Sequence, residues 1–83
     1  MKIHEVIDGK YIKDYIVELV FDDLKKGQVD VKRYLGKGVF KPLLDKNMFK
    51  QFWVDAKLGT ITWVTGADIA PETLYKDMLA GKK

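Results

Sequence analysis

The sequence predicts an α+β fold: a small antiparallel sheet of four or five strands, a short middle helix, and a C-terminal helix over 71–80 packed on the sheet. Three observations predict it. Residues 15–22 alternate between apolar and mixed positions with period two. Residues 52–63 read as a hairpin. Residues 71–80 carry an apolar stripe behind a proline suited to a helix start.

The first strand is placed near Ile3–Ile7, ahead of Asp8-Gly9, a pair that suits a tight turn or a bulge. Tyr15, Val17, Leu19 and Phe21 then alternate with Ile16, Glu18, Val20 and Asp22, which gives one core face and one wetter face. Asp23 to Gly27 breaks this strand, and Gln28–Val31 reads as a short return strand. Val31–Leu35 can form a helical turn ending at Gly36, and Gly36-Lys37-Gly38 is a loop. Pro42 opposes a regular strand in the stretch that follows. Asp45 is placed to cap a short helix over Lys46–Gln51, with Met48 and Phe49 facing inward. In the second hairpin Phe52, Val54, Ile61 and Trp63 share one face, Val54 and Ile61 are cross-strand partners, and Trp53 falls on the opposite face. The terminal helix has Pro71 at its first position and Ile69 and Leu74 as a hydrophobic staple. Leu74, Tyr75, Met78 and Leu79 make its stripe, Gly81 ends it, and Lys82 and Lys83 complement its negative end.

The length is that of one domain spanning residues 1–83, and the abundance of aromatic and aliphatic residues is that of a folded chain. With no cysteine and no apolar run longer than three residues, the expected setting is a reducing cytoplasm, without a signal peptide or membrane span.

The residue inventory removes much chemistry. There is neither serine nor cysteine, so the common nucleophile–histidine arrangements cannot form within the chain. His4 is the only histidine, too few for a zinc site with cysteine also missing, and it reads as an ordinary surface or edge residue. Asp22-Asp23 reads as a turn pair whose side chains point to opposite faces, and Asp55 and Asp68 as acceptors of turn N–H groups. Gly36-Lys37-Gly38 lacks the full phosphate-loop pattern, so no nucleotide or other cofactor is expected. No catalytic residue and no metal ligand set emerges, and the chain is not expected to be an enzyme.

Two features are left over. Lys32, Arg33, Lys37, Lys41, Lys46 and Lys50 stand against Asp45 alone, a local balance of +5 in a chain of net charge +3. These cations are either an ordinary solvated face or a contact surface for phosphate or an acidic partner. Trp53 is either an exposed anchor or a ring covered by the terminal helix or Tyr34.

From Tyr15 onward the chain resembles a bacterial family catalogued as domain of unknown function 2442. The resemblance rests on Tyr15-Ile-Val-Glu-Leu-Val-Phe-Asp22, Val29-Asp30, Gly38-Val-Phe-Lys-Pro-Leu43, Phe49, Val54-Asp55, Leu58-Gly-Thr-Ile-Thr-Trp63 and Gly66-Ala-Asp-Ile-Ala-Pro-Glu-Thr-Leu-Tyr75. Two turns depart from the family pattern: Val64-Thr65 replaces Pro-Asn, and Asp23 to Gly27 is longer than the usual Asp-Gly. The resemblance implies a small α+β domain whose relatives occur alone or joined to a helix-turn-helix domain. Those that stand alone are often encoded beside another small protein, as toxin–antitoxin pairs are. It implies no catalytic residue. The expected function is therefore a non-enzymatic interaction module, antitoxin-like or accessory, that binds a small protein partner through the basic segment and Trp53. The alternative is nucleic-acid binding through the basic segment 32–50.

Overall fold

The computed structural model describes residues 4–81. Strands β1 (Val6–Lys13), β2 (Ile16–Phe21) and β3 (Lys26–Asp30) form an antiparallel sheet in that order. Two 3-10 turns, Lys32–Tyr34 and Gly38–Leu44, lead to the one-turn helix α1 (Lys46–Phe49). β4 (Trp53–Asp55) pairs with β5 (Thr60–Thr62), and helix α2 (Pro71–Ala80) ends the order.

The period-two segment folds as its pattern requires. Val17, Leu19 and Phe21 are fully buried, while Ile16, Glu18 and Val20 between them are half-buried. β1 is later and longer than expected, and Ile3, assigned to its start, lies outside the described residues. Asp8-Gly9 is not the hairpin turn. It lies inside β1 beside a register shift between Val6 and Asp8, the bulge reading. The chain reverses at Asp14-Tyr15, where Asp14 takes φ 47°, a left-handed conformation that Asp tolerates better than most side chains.

The five strands do not share one sheet: three form one and two the other. The reason lies at Gly9. A Cβ there would stand 3.3 Å from both Leu19 Cδ2 and Phe52 Cε1 and 3.5 Å from Ile61 Cγ2. The missing side chain lets the β4–β5 hairpin pack against β1 through these apolar groups. The Val6 N–H to Gly59 carbonyl bond, 2.9 Å, ties the hairpin to the start of β1. Within the hairpin Val54 pairs with Ile61 as expected. Thr60 and Thr62 are buried as well as Ile61, against the alternation, because their hydroxyls donate to the carbonyls of Ile69 and Ala67 at 2.7 Å.

Phe21, Phe49, Trp63 and Leu74 anchor the core, each worth about 1.5–3 kcal/mol in burial. The Trp63 indole N–H donates to the Phe49 carbonyl at 2.8 Å, so its polar edge is satisfied. Asp45 caps α1 by accepting the Asn47 N–H at 2.9 Å, and the helix stops at Phe49, short of the expected Gln51. Gly66 has φ 90°, which suits a residue without Cβ at the reversal after Trp63. That reversal is closed by backbone bonds, Gly66 N–H to Trp63 O and Trp63 N–H to Ala67 O. The Asp68 carboxylate accepts no turn N–H among the described residues, contrary to expectation.

α2 spans the expected 71–80, with Ile69 and Leu74 both buried at its start. Its buried stripe is narrower than predicted. Leu74 and Met78 are buried, Tyr75 is half-buried, and Leu79 is 47% exposed. Met78 crosses β3 at Gly27, where a Cβ would lie only 2.6 Å from Met78 Cγ. Lys82 and Lys83, expected to complement the helix end, lie outside the described residues.

Candidate interaction surface

Two recesses of about 710 and 430 Å³ run along β3 beside the end of α2, and Gln28 and Gly81 line both. Asp30, Lys32 and Asp77 border the larger, and Lys25, Lys26 and Leu79 the smaller. Sequence reading missed this surface. It arises from the docking of α2 on β3, a tertiary event with no local pattern.

At its rim the first 3-10 turn is fastened to α2. Arg33 Nη2 lies 2.5 Å from Asp77 Oδ1 and donates to the Tyr34 hydroxyl at 2.9 Å, while that hydroxyl donates to Asp77 Oδ2. The hydrogen bonds to Tyr34 and Asp77 raise the Arg33 pKa above its ordinary value. Desolvation, then the bond to Asp77, raises that of the Tyr34 hydroxyl.

The six basic residues differ in what they touch. Arg33 is committed to Asp77. Lys46 Nζ lies 3.4 Å from Asp14 Oδ1 and 5.7 Å from the centre of the Tyr15 ring. Lys50, one helical turn on, lies 5.4 Å from the centre of the Tyr11 ring. Tyr11 and Tyr15 both meet Phe49 edge-on, so this pair of lysines covers an aromatic cluster. Lys32, Lys37 and Lys41 are exposed, with no carboxylate at ion-pair distance among the described residues.

Trp53 faces Thr62 across the small hairpin and is 46% exposed. The hydroxyl of Tyr34 is engaged by Asp77. Lys50, three residues before it, lies over Tyr11. Val39, Leu58 and Val64 are further apolar side chains at least 49% exposed.

Around the start of β1, His4 has a neighbourhood its sequence did not announce. Its ring stacks on Tyr75 with centroids 4.0 Å apart, and its Nδ1 lies 3.5 Å from Asp22 and 3.6 Å from Asp23. The two carboxylates do not point to opposite faces, because β2 has ended at Phe21 and strand alternation no longer applies. Asp23 also accepts the Lys25 N–H at 3.0 Å, the turn role expected of it, and the Tyr75 hydroxyl at 2.7 Å. The Tyr75 hydrogen bond holds the Asp23 pKa below its ordinary value, and the same bond raises that of Tyr75. Half-buried His4 and exposed Asp22 and Asp23 are the one cluster of three metal-capable side chains among the described residues, and their mutual contacts are those of a turn stitched to a helix.

No helix among the described residues is long and apolar enough to cross a membrane. A family model described as Protein of unknown function (DUF2442) matches residues 6–78, whereas no curated protein and no solved structure matches the chain.

Proposed function

The chain belongs to that family of unknown function, DUF2442, and from this premise we propose that it is a non-enzymatic interaction module, antitoxin-like or accessory, that binds a small protein partner in the cytoplasm. One observation carries the reading: Trp53 holds nearly half its surface in solvent while the other tryptophan, Trp63, is buried and hydrogen-bonded. A large ring held on a short strand is ordered at little entropic cost and suits an interface anchor. The exposed Lys37 and Lys41 add positive charge that favours an acidic partner. The absence of serine and cysteine supports a role without serine or cysteine nucleophiles.

The test is titration calorimetry with the small protein encoded beside this chain. Binding at micromolar or tighter concentration, lost in Trp53→Ala, is the expected result. No heat at about 100 μM of either protein counts against the reading. A parallel titration with mixed DNA and RNA separates the nucleic-acid alternative, for which affinity would fall steeply with salt. Arg33 and Lys46, already engaged by Asp77 and Asp14, weaken that alternative.

A further inference from the structure

β3 is an edge strand, and the ladder defines which of its groups are free. The Val31 N–H donates to the Tyr15 carbonyl at 3.0 Å, and the Phe21 N–H donates to the Lys25 carbonyl at 2.9 Å. Both pairs share the β2–β3 register, in which Val17 faces Val29 and Leu19 faces Gly27. In an antiparallel pair, alternate residues of a strand direct both N–H and C=O toward the same neighbour. Residues 27 and 29 therefore bond to β2, while Lys26, Gln28 and Asp30 turn their backbone groups outward. Among the described residues no other backbone group pairs with those six. Gln28 is the middle residue, and it lines both recesses along this edge.

The order of charges makes the edge self-complementary. When a second β3 is laid antiparallel with Gln28 opposite Gln28, Lys26 of each copy stands opposite Asp30 of the other. The three outward-turned residues of each strand then meet in hydrogen-bonded pairs, giving six backbone hydrogen bonds. Side chains at 26, 28 and 30 lie on the sheet face away from Met78, so the opposed charges meet outside the core. Asp30 has one carboxylate oxygen on the Lys32 N–H, at 3.0 Å, which leaves its other oxygen for the facing lysine. Lys26 has no carboxylate partner of its own among the described residues. Exposed Leu79, beside the same edge, gives the pairing an apolar flank.

We propose that two copies of this chain associate through their β3 edges about a two-fold axis at Gln28, joining the three-stranded sheets into one of six strands. The surface is separate from Trp53, so the proposal stands independently of the partner-binding reading. An isologous contact of this kind closes at two copies.

The experiment is sedimentation equilibrium on the full chain across concentration, with single charge reversals as probes. The expected wild-type species at high concentration has twice the 9.6 kDa protomer mass. Lys26→Asp places two carboxylates opposite one another, and Asp30→Lys places two ammonium groups opposite one another, each twice by symmetry. Each single variant should weaken dimerisation about ten- to a hundredfold. A mixture of the two single variants pairs opposite charges at both crossings of the mixed dimer, and it should associate more tightly than either variant alone. The double variant restores opposite charges at both crossings and should self-associate like wild type. Far-ultraviolet circular dichroism confirms that each variant is folded, and the double variant carries the same substitutions that fail singly. A wild-type chain that stays monomeric to about 1 mM overturns the proposal. So does a dimer that the single reversals leave intact, or a double variant that fails to associate.

Discussion

Gly27 and Gly36 offer the same substitution in opposite surroundings. At Gly27 the added Cβ would fall 2.6 Å from Met78 Cγ and 3.0 Å from its Sδ. Carbon atoms rest at about 3.5–4.0 Å, so roughly 1 Å of overlap must be relieved. Met78 is only 5% exposed, and its Cγ lies near the root of the side chain, so relief requires α2 to lift from β3. Overpacking of this size costs about 1–3 kcal/mol. Removing a glycine returns about 0.4–1 kcal/mol by restricting the unfolded chain. The net expectation for Gly27→Ala is a loss of about 1–2 kcal/mol, a fall in Tm of about 4–16 °C for a chain of this size. At Gly36 no atom lies within 4 Å of the added Cβ, and the backbone is outside the left-handed region. Gly36→Ala should therefore raise stability by the unfolded-state term alone, about 0.4–1 kcal/mol. Urea and thermal unfolding of both variants measure the contrast. Met78→Ala in the Gly27→Ala background removes the clash, so the double variant should lose less than the two singles together, by at least about 0.5 kcal/mol. Equal effects at the two glycines, or strict additivity with Met78→Ala, refute the packing argument.

Trp63→Phe leaves the buried Phe49 carbonyl without its 2.8 Å donor and removes ring volume from the core, for an expected loss of about 2–4 kcal/mol in urea unfolding. Ala70→Asp supplies the side-chain cap that α2 lacks and should add about 0.5–1 kcal/mol, measured as an upward shift in the urea midpoint. Asp23 has its pKa lowered chiefly by the Tyr75 hydroxyl, so its contribution is whole above its ordinary value of 3.8 and is lost as pH falls through the lower folded value. Tyr75→Phe should flatten the acid limb of a Tm–pH profile, and an unchanged limb would show that another carboxylate governs it. Tyr34 and Tyr75 have raised hydroxyl pKa values, so their contribution is present below 10.0 and is lost as pH rises beyond it. The alkaline limb of the same profile should be shallower in Tyr34→Phe.

The parts of this fold written in local pattern were legible. The alternation at 15–22 placed Val17, Leu19 and Phe21 in the core, and the Ile69-Ala70-Pro71 entry placed α2 at its observed bounds. Division into two sheets was not legible, because it depends on what a bare Gly9 meets across the molecule. Burial of Thr60 and Thr62 was missed for a related reason: alternation sorts residues by polarity, and a hydroxyl with a carbonyl waiting for it can be buried. The basic residues were countable in the sequence, but their division was not. Asp77 meets Arg33 and Asp14 meets Lys46 across separations of 44 and 32 residues. Trp53 lies off the core face of its hairpin as its phase indicated, since phase is a local property, whereas the choice between an exposed and a covered ring needed the whole molecule.

β5 has a strand on one flank and, on the other, a single backbone bridge from Thr62 to Asp68 reinforced by two hydroxyls fastened to the segment that leads into α2. A backbone ladder survives almost any substitution except proline, because every residue brings the same N–H and C=O. The side-chain part of such a seam has no such immunity. Thr60→Val and Thr62→Val keep shape and burial, yet the first takes the hydroxyl from the Ile69 carbonyl and the second leaves the Ala67 carbonyl with the Trp63 N–H alone, so the exchange of a hydroxyl for a methyl can loosen the approach to α2 while both sheets stay paired. The entrance to the terminal helix is thus a place where this fold is vulnerable to mutation, even though its threonines are well shielded from water.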